Sequence, residues 1–345
     1  MNYLNHCGKE VPLGELNLIM RILITGGLGF IGGRLAAYLS KKGHQIILGS
    51  RNISEAPIWL PYAEVQKIEW DNELSLLNSC IGVDLVIHAA GMNASDCFTD
   101  PLAALNFNGK ATNRLVKAAI KSDVKKFIYL STAHVYANPL SGLITERSFP
   151  LNNHPYATSH LAGENSVLNF AHAGEMFSIV LRISNAFGVP KDRNTNCWML
   201  LINDLCRQAV QKRKLVLKTN GLQYRDFIGL EQVCNVVAAL AVTSKRSKGL
   251  NIFNLGSGTS KSVLEVAQLV QQRCKQVLNF EPELIYSDDD NNEQHPPLIY
   301  QNVNLSTLGI NVNDLNNISE IDELLCYCQS VFSEITSAGI QFEKY

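Results

Sequence analysis

The sequence lacks an excess of either charge: 30 lysines and arginines stand against 31 aspartates and glutamates, a formal net charge of −1. Nucleic acid and anionic membrane both call for a basic surface, so neither is expected as the main partner. Long apolar runs are also missing, and none reaches the roughly 18 residues that a membrane-spanning helix needs. The first nineteen residues lack the continuous apolar segment of a signal peptide, since Lys9, Glu10 and Glu15 are mixed with Pro12. Residues 1–19 are expected to be a disordered arm or a start-site artefact, with the fold beginning near Met20. No C-x-x-C pair occurs among the nine cysteines at 7, 80, 97, 197, 206, 234, 274, 326 and 328. Scattered in this way, they read as reduced, mostly buried thiols of a cytoplasmic protein rather than a disulfide framework. Cys326 and Cys328 lie two apart in a helical stretch, which turns them to different faces. No repeat of fixed period is visible. The acidic run Asp288–Glu293 reads as a solvated loop, and no metal is assigned to it.

What is present is a globular composition, 46% hydrophobic and 18% charged over 345 residues. At about 150 residues per domain, that length allows roughly two domains. Short apolar runs at Ile22–Thr25, Gln45–Leu48, Asp84–His88, Lys126–Ser131 and Phe177–Arg182 predict buried strands. Helical patterns at Phe30–Lys42, Ala103–Lys121 and Thr158–Ala173 fall between them. Strands alternating with helices predict parallel pairing, hence an α/β fold with a doubly wound parallel sheet. The second half is less regular, with helices expected at Leu200–Arg213 and Ser262–Leu278 and strands at Leu215–Leu217 and Ile252–Leu255.

The first strand runs into Thr25-Gly-Gly-Leu-Gly-Phe-Ile-Gly32, whose Gly26, Gly29 and Gly32 are spaced G-x-x-G-x-x-G between a strand and an apolar helix. In that context small residues let the backbone approach a pyrophosphate, and the helix N-terminus offers free N–H groups. A dinucleotide is therefore the expected cofactor. About 20 residues further on, an NAD site usually carries a carboxylate for the ribose 2′-hydroxyl. Gly49 occupies that place here and is followed by Ser50 and Arg51. Arg51 suits a 2′-phosphate, so NADPH is expected to be preferred over NADH. Asp71, after the third strand, is a candidate for the adenine amino group, although a loop aspartate serves equally well as a turn residue.

Further along, Val86-Ile-His-Ala-Ala-Gly91, Leu130-Ser-Thr-Ala-His-Val-Tyr136, Tyr156-Ala-Thr-Ser-His160, Leu181-Arg-Ile-Ser-Asn-Ala-Phe-Gly188 and Arg225-Asp-Phe-Ile228 follow in order. With the glycine motif, they resemble the extended short-chain dehydrogenase/reductase family, the NAD(P)-dependent epimerase/dehydratase group acting mainly on nucleotide sugars. The resemblance covers residues from about 20 to about 315. It implies an NAD(P)-binding Rossmann domain over 20–182, joined by 226–254, and a smaller α/β substrate domain from 183–225 and 255–345. It also implies cofactor contacts at Phe30, Ile31, Ala89, Ala90 and Gly91, catalytic roles for Thr132 and Tyr156, and substrate contacts at Thr132, Asn185 and Arg225. A homodimer through the Tyr156 helix and the Ala103–Lys121 helix belongs to the same expectation.

One position departs from the resemblance. Its lysine, four residues after the tyrosine, is replaced by His160. Spacing of i, i+4 keeps Tyr156 and His160 on one helical face, so both remain candidates for catalysis and cofactor binding. Bringing a tyrosine pKa from about 10 to about 7 takes roughly 4 kcal/mol of preferential stabilisation, and a mostly neutral imidazole supplies less of it than an ammonium. Oxidation, which needs a phenolate, should suffer most, and ketone reduction least. His160 reads as a working substitute, as a sign of weak or lost catalysis, or as bypassed by another group such as His134. Ala133 and His134 stand where the dehydratase branch places an Asp-Glu pair, so 4,6-dehydration is less expected than ketoreduction or epimerisation. Two alternatives stay open: a weakly active or non-catalytic NAD(P)-binding protein, and a reductase of a small non-nucleotide ketone.

Overall fold

The computed structural model describes residues 3–4, 10–11, 19–52, 55–243, 251–287, 296–312 and 316–337. Seven strands form the central sheet: β1 (Arg21–Thr25), β2 (Gln45–Ser50), β3 (Glu64–Lys67), β4 (Leu85–His88), β5 (Lys126–Thr132), β6 (Phe177–Ile183) and β7 (Ile252–Leu255). All neighbours pair in parallel in the order β7-β6-β5-β4-β1-β2-β3. The chain winds outwards in both directions from β1 and β4. Between those two strands the order reverses, and ligands of such sheets bind at the carboxyl ends beside that point.

Alternate residues of each strand enter opposite layers, as the two-residue period requires. Ile22, Ile24, Ile128 and Leu181 pack under α1 (Phe30–Lys41), whereas Leu23, Val86, Phe127 and Val180 pack under α2 (Glu73–Cys80) and α3 (Thr112–Lys121). Helix α4 (Pro155–His172) also covers the second layer. It begins three residues before the sequence pattern predicts: Pro155 occupies the first turn and the His154 side chain accepts the Tyr156 N–H at 3.2 Å.

A third apolar core unites Phe187, Phe227 and residues of α5 (Leu201–Lys212), α7 (Val263–Leu278) and α8 (Asn316–Ser337). Helix α6 (Leu230–Val242) belongs instead to the first core, through Val233 and Val237. A three-stranded sheet of Asn185–Phe187, Tyr224–Gly229 and Ser260–Ser262 joins the two regions.

Seven of the eight described cysteines are buried and all eight are free; Cys326 is exposed and Cys328 buried, as their spacing predicts. Within the first nineteen residues, Tyr3–Leu4 pairs with Glu10–Val11, and apart from Ile19 the remainder lies outside the described residues, as do Cys7 and the run 288–293. Among the described residues no helix is long and apolar enough to cross a membrane, and no cluster of metal-ligating side chains occurs.

Candidate active site

A groove of about 920 Å³ opens at the carboxyl ends of the strands, beside the reversal point. Its floor is the glycine turn. Gly26 has a φ of +65°, and a Cβ there would lie 2.9 Å from the Ala90 nitrogen. A Cβ on Gly32 would lie 2.2 Å from the Gly26 carbonyl oxygen. Both glycines are needed so that β1, the turn and α1 can meet. Gly29 caps α1 with no side-chain hydrogen bond, which leaves the first N–H groups of the helix to the groove. Phe30, Ile31, Ser50, Arg51, Ala89, Ala90 and Gly91 line it as well. This bare backbone cradle at a helix N-terminus fits a pyrophosphate.

Gly49 packs closely beneath Ile68, whose Cδ1 would lie 2.5 Å from a Cβ at that position. The polar groups nearest that corner are Ser50 and the exposed Arg51. Asp71 is placed differently from the adenine contact expected of it. It is ion-paired with Arg114, its side chain is 95% exposed, and it does not line the groove. Trp70 does, stacked edge-on against Phe107 at 5.1 Å. The ion pair draws the carboxylate outward while the indole turns in.

At the other end of the groove stand Tyr156 and His160, with ring centroids 4.6 Å apart. The Tyr156 hydroxyl is hydrogen-bonded to Thr132 at the end of β5. Burial pushes the Tyr156 pKa up, and the Thr132 bond only partly opposes that. His160 is 6% exposed, and burial lowers its pKa to about 4. Its Nδ1 lies 3.0 Å from the Tyr129 hydroxyl, which burial keeps protonated. The two groups share this hydrogen bond, and the imidazole beside Tyr156 is neutral. Thr132, Tyr156 and His160 thus meet, Tyr156 and His160 on one helical face as their spacing predicts, with no positive charge among them.

Several supporting residues escape sequence reasoning. Asn108 is 2% exposed; it accepts from the Met92 N–H at 2.9 Å and donates to Ser159 Oγ at 3.0 Å. It sits in a π-helical segment, Leu105–Ala111, that runs directly into α3. Glu164 binds Arg182 through two oxygens and accepts from Ser131 Oγ at 2.5 Å. One turn beyond His160, it fixes α4 to β5 and β6. A glutamate on the buried face of an apolar helix was the available signal.

Asn185 and Arg225 lie on adjacent strands of the small sheet, and neither is among the residues that line the groove. Asn185 Nδ2 donates to the Asp226 carbonyl at 2.8 Å, while Arg225 donates to Gln223 Oε1 at 2.7 Å. Among the described residues Arg225 has no carboxylate partner. His134 lies between them and Thr132: its ring shares a side-chain hydrogen bond with Asn185 and feels the Arg225 charge.

A sequence model of the NAD dependent epimerase/dehydratase family matches residues 22–256, more than half of the chain and most of the elements just described. The chain belongs to this family. Among its relatives is a dTDP-D-glucose 4,6-dehydratase of Bos taurus, 28% identical over 290 residues (80% of this chain, 79% of the relative). A UDP-glucose 4-epimerase of Halalkalibacterium halodurans is 25% identical over 273 residues (73% of this chain, 80% of the relative). In fold, the chain is similar to a UDP-N-acetylglucosamine 4-epimerase from Methanobrevibacter ruminantium, with a TM-score of 0.77 at 20% identity, covering 90% of this chain and 99% of that one. Both epimerases and dehydratases thus stand among the relatives of this family member. In this chain a neutral His160 stands beside Tyr156, and His134 shares a hydrogen bond with Asn185.

Proposed function

We propose that the protein is an NAD(P)-dependent enzyme acting on a nucleotide sugar, with hydride transfer at a sugar carbon in ketoreduction or epimerisation. The observation that carries this reading is the continuity of one groove from the glycine turn to the Tyr156 and His160 side chains. A nicotinamide dinucleotide held there supplies or accepts the hydride. Tyr156 would deliver the proton to the ketone oxygen, Thr132 would orient that hydroxyl, and His160 would help to hold the dinucleotide at the groove wall. Residues 183–225 and 255–345 supply the substrate side, where Asn185 and Arg225 bind the diphosphate.

Reduction is the favoured direction, because a protonated tyrosine is already the donor that the ketone needs. The raised Tyr156 pKa and the uncharged His160 both support it. Preference for NADPH is part of the same proposal, supported by Arg51 at the groove and by the lack of a carboxylate at position 49. Asp71, turned outward to Arg114, is not retained as the adenine contact. The exposed Leu102 and Leu105 beside α3 support a homodimer through that helix and α4, and the reduced thiols support a cytoplasmic enzyme.

The test is consumption of NADPH and of NADH with UDP- and dTDP-4-ketosugars, alongside competitive titration of the two cofactors. NADPH is expected to bind at least about tenfold more tightly, with the preference lost in Arg51→Ala, since one charge-assisted contact is worth about 1.5–3 kcal/mol. Tighter NADH binding would overturn the cofactor assignment. Turnover only with non-nucleotide ketones would overturn the substrate class.

A further inference from the structure

The ring of His160 is held by a residue that does not itself line the groove. Its Nδ1 lies 3.0 Å from the hydroxyl of Tyr129, and both side chains are buried. Among the described residues each is the one hydrogen-bond partner of the other's side chain. His88, whose ring centroid is 5.4 Å from that of Tyr129, has both nitrogens engaged by Thr25 and Thr112. Tyr129 comes from the middle of β5, and the space for its hydroxyl is made on α4. Gly163, three residues after His160, would place a Cβ 2.5 Å from that hydroxyl oxygen and 2.6 Å from the Asn108 carbonyl oxygen. A glycine weakens a helix interior, and the close approach of Tyr129 and Asn108 accounts for this one. Spacing of i, i+3 puts the ring and the notch on one face of the helix. The opposite edge of the ring is placed as well. Cε1 and Nε2 of His160 lie 3.7 and 3.8 Å from a Cβ built on Gly91, and Gly91 and His160 both line the groove.

We propose that Tyr129 is a positioning residue of this site: through Nδ1 it holds His160 in one orientation and one tautomer, and so fixes whether a dinucleotide meets a donor or an acceptor at Nε2. The proposal rests on the reading of the groove as the dinucleotide site. A neutral imidazole has two tautomers, and the hydrogen bond made by one nitrogen decides which of them is present. A hydroxyl fixed at Nδ1 must either donate to that nitrogen or accept from it, and Nε2 then takes the complementary state. A lysine ammonium carries donors only and needs no such partner, whereas an imidazole at position 160 does.

The experiment reads the ring directly, by nitrogen NMR of protein with isotopically labelled histidine and no dinucleotide, the His160 signals being assigned by their loss in His160→Gln. Wild-type protein is expected to show one protonated and one unprotonated nitrogen, the pattern of a single tautomer. Tyr129→Phe should move both signals toward the average of the two tautomers. In parallel, NADPH and NADH are titrated by calorimetry. Tyr129→Phe is expected to weaken the preferred dinucleotide about three- to tenfold, the worth of about one neutral hydrogen bond. In a His160→Ala background the same change should cost nothing further, because the two residues act as a unit. An averaged wild-type pattern, an unchanged pattern in Tyr129→Phe, or additive losses in the double variant would each overturn the proposal. Should Tyr129→Phe not fold, the wild-type spectrum decides: a single tautomer supports Tyr129, and an averaged one counts against it. Failure of the wild type to bind either dinucleotide overturns the reading of the groove, while the dinucleotide-free spectra still test Tyr129.

Discussion

The ring at position 160 lies against Tyr156, with ring centroids 4.6 Å apart. The neutral imidazole bonds to Tyr129 and lends the phenolate no Coulombic support, while burial raises the Tyr156 pKa. His160→Lys would place an ammonium one helical turn from Tyr156. Alcohol oxidation at pH 7 is expected to rise by about tenfold or more, each unit of Tyr pKa being about 1.36 kcal/mol. The rising limb of the pH–rate profile for oxidation, set by ionisation of Tyr156, should move to lower pH with it. The same change removes the Tyr129 bond and buries a cation, so thermal stability should fall. An unchanged pH profile would mean that another group controls Tyr156.

Among the elements, α4 is the one on which the site depends, and one ion pair holds it. Glu164 and Arg182 are only 1% and 4% exposed, and Arg182 also lies 4.7 Å from the Tyr136 ring centroid. Glu164→Gln would leave a buried guanidinium without its counter-ion, which costs about 3–5 kcal/mol. Denaturant unfolding should register that loss, and turnover should fall with it because α4, which carries Tyr156 and His160, loses its ionic anchor to β6. The strands of the central sheet are legible from continuous apolar runs, since burial on both faces leaves little room for other residues. Gly26, Gly29 and Gly32 are legible because the turn admits no side chain. Asn108 and Glu164 are not legible by periodicity, because their partners lie on other elements far away in sequence. Asp71 misleads for the same reason: its partner Arg114 is 43 positions away. The π-helical segment adds a further source of error, because its wider turn moves Asn108 off the face that a 3.6-residue period would assign to it.

At the scale of the molecule, buried imidazoles set the response to acid. His88, bonded to Thr25 and Thr112, has its pKa lowered by burial to about 3, and His160 to about 4, each from 6.5. His134 is lowered as well. The unfolded chain therefore takes up protons at these positions first, and stability is lost as pH falls from about 6.5 towards 4. Asp226 opposes this, since its raised pKa of about 6 makes the folded state take up a proton before the unfolded one. Three histidines outweigh that carboxyl together with Glu320, which is shifted the same way. The melting temperature is expected to fall between pH 7 and pH 5, and His160→Gln should flatten the decline. A flat wild-type curve in calorimetry would contradict the sign.

Glu320 also connects distant parts of the chain. From α8 it pairs with Arg34 of α1 at 3.0 Å and accepts from the Glu231 N–H, at the start of α6, at 3.0 Å. Helix α1 is the one whose N-terminus meets the glycine turn. The last described helix, though absent from the groove, therefore braces the helix that receives the dinucleotide. A truncation or fusion that disturbs α8 would be felt first as weakened cofactor retention, far from the cut.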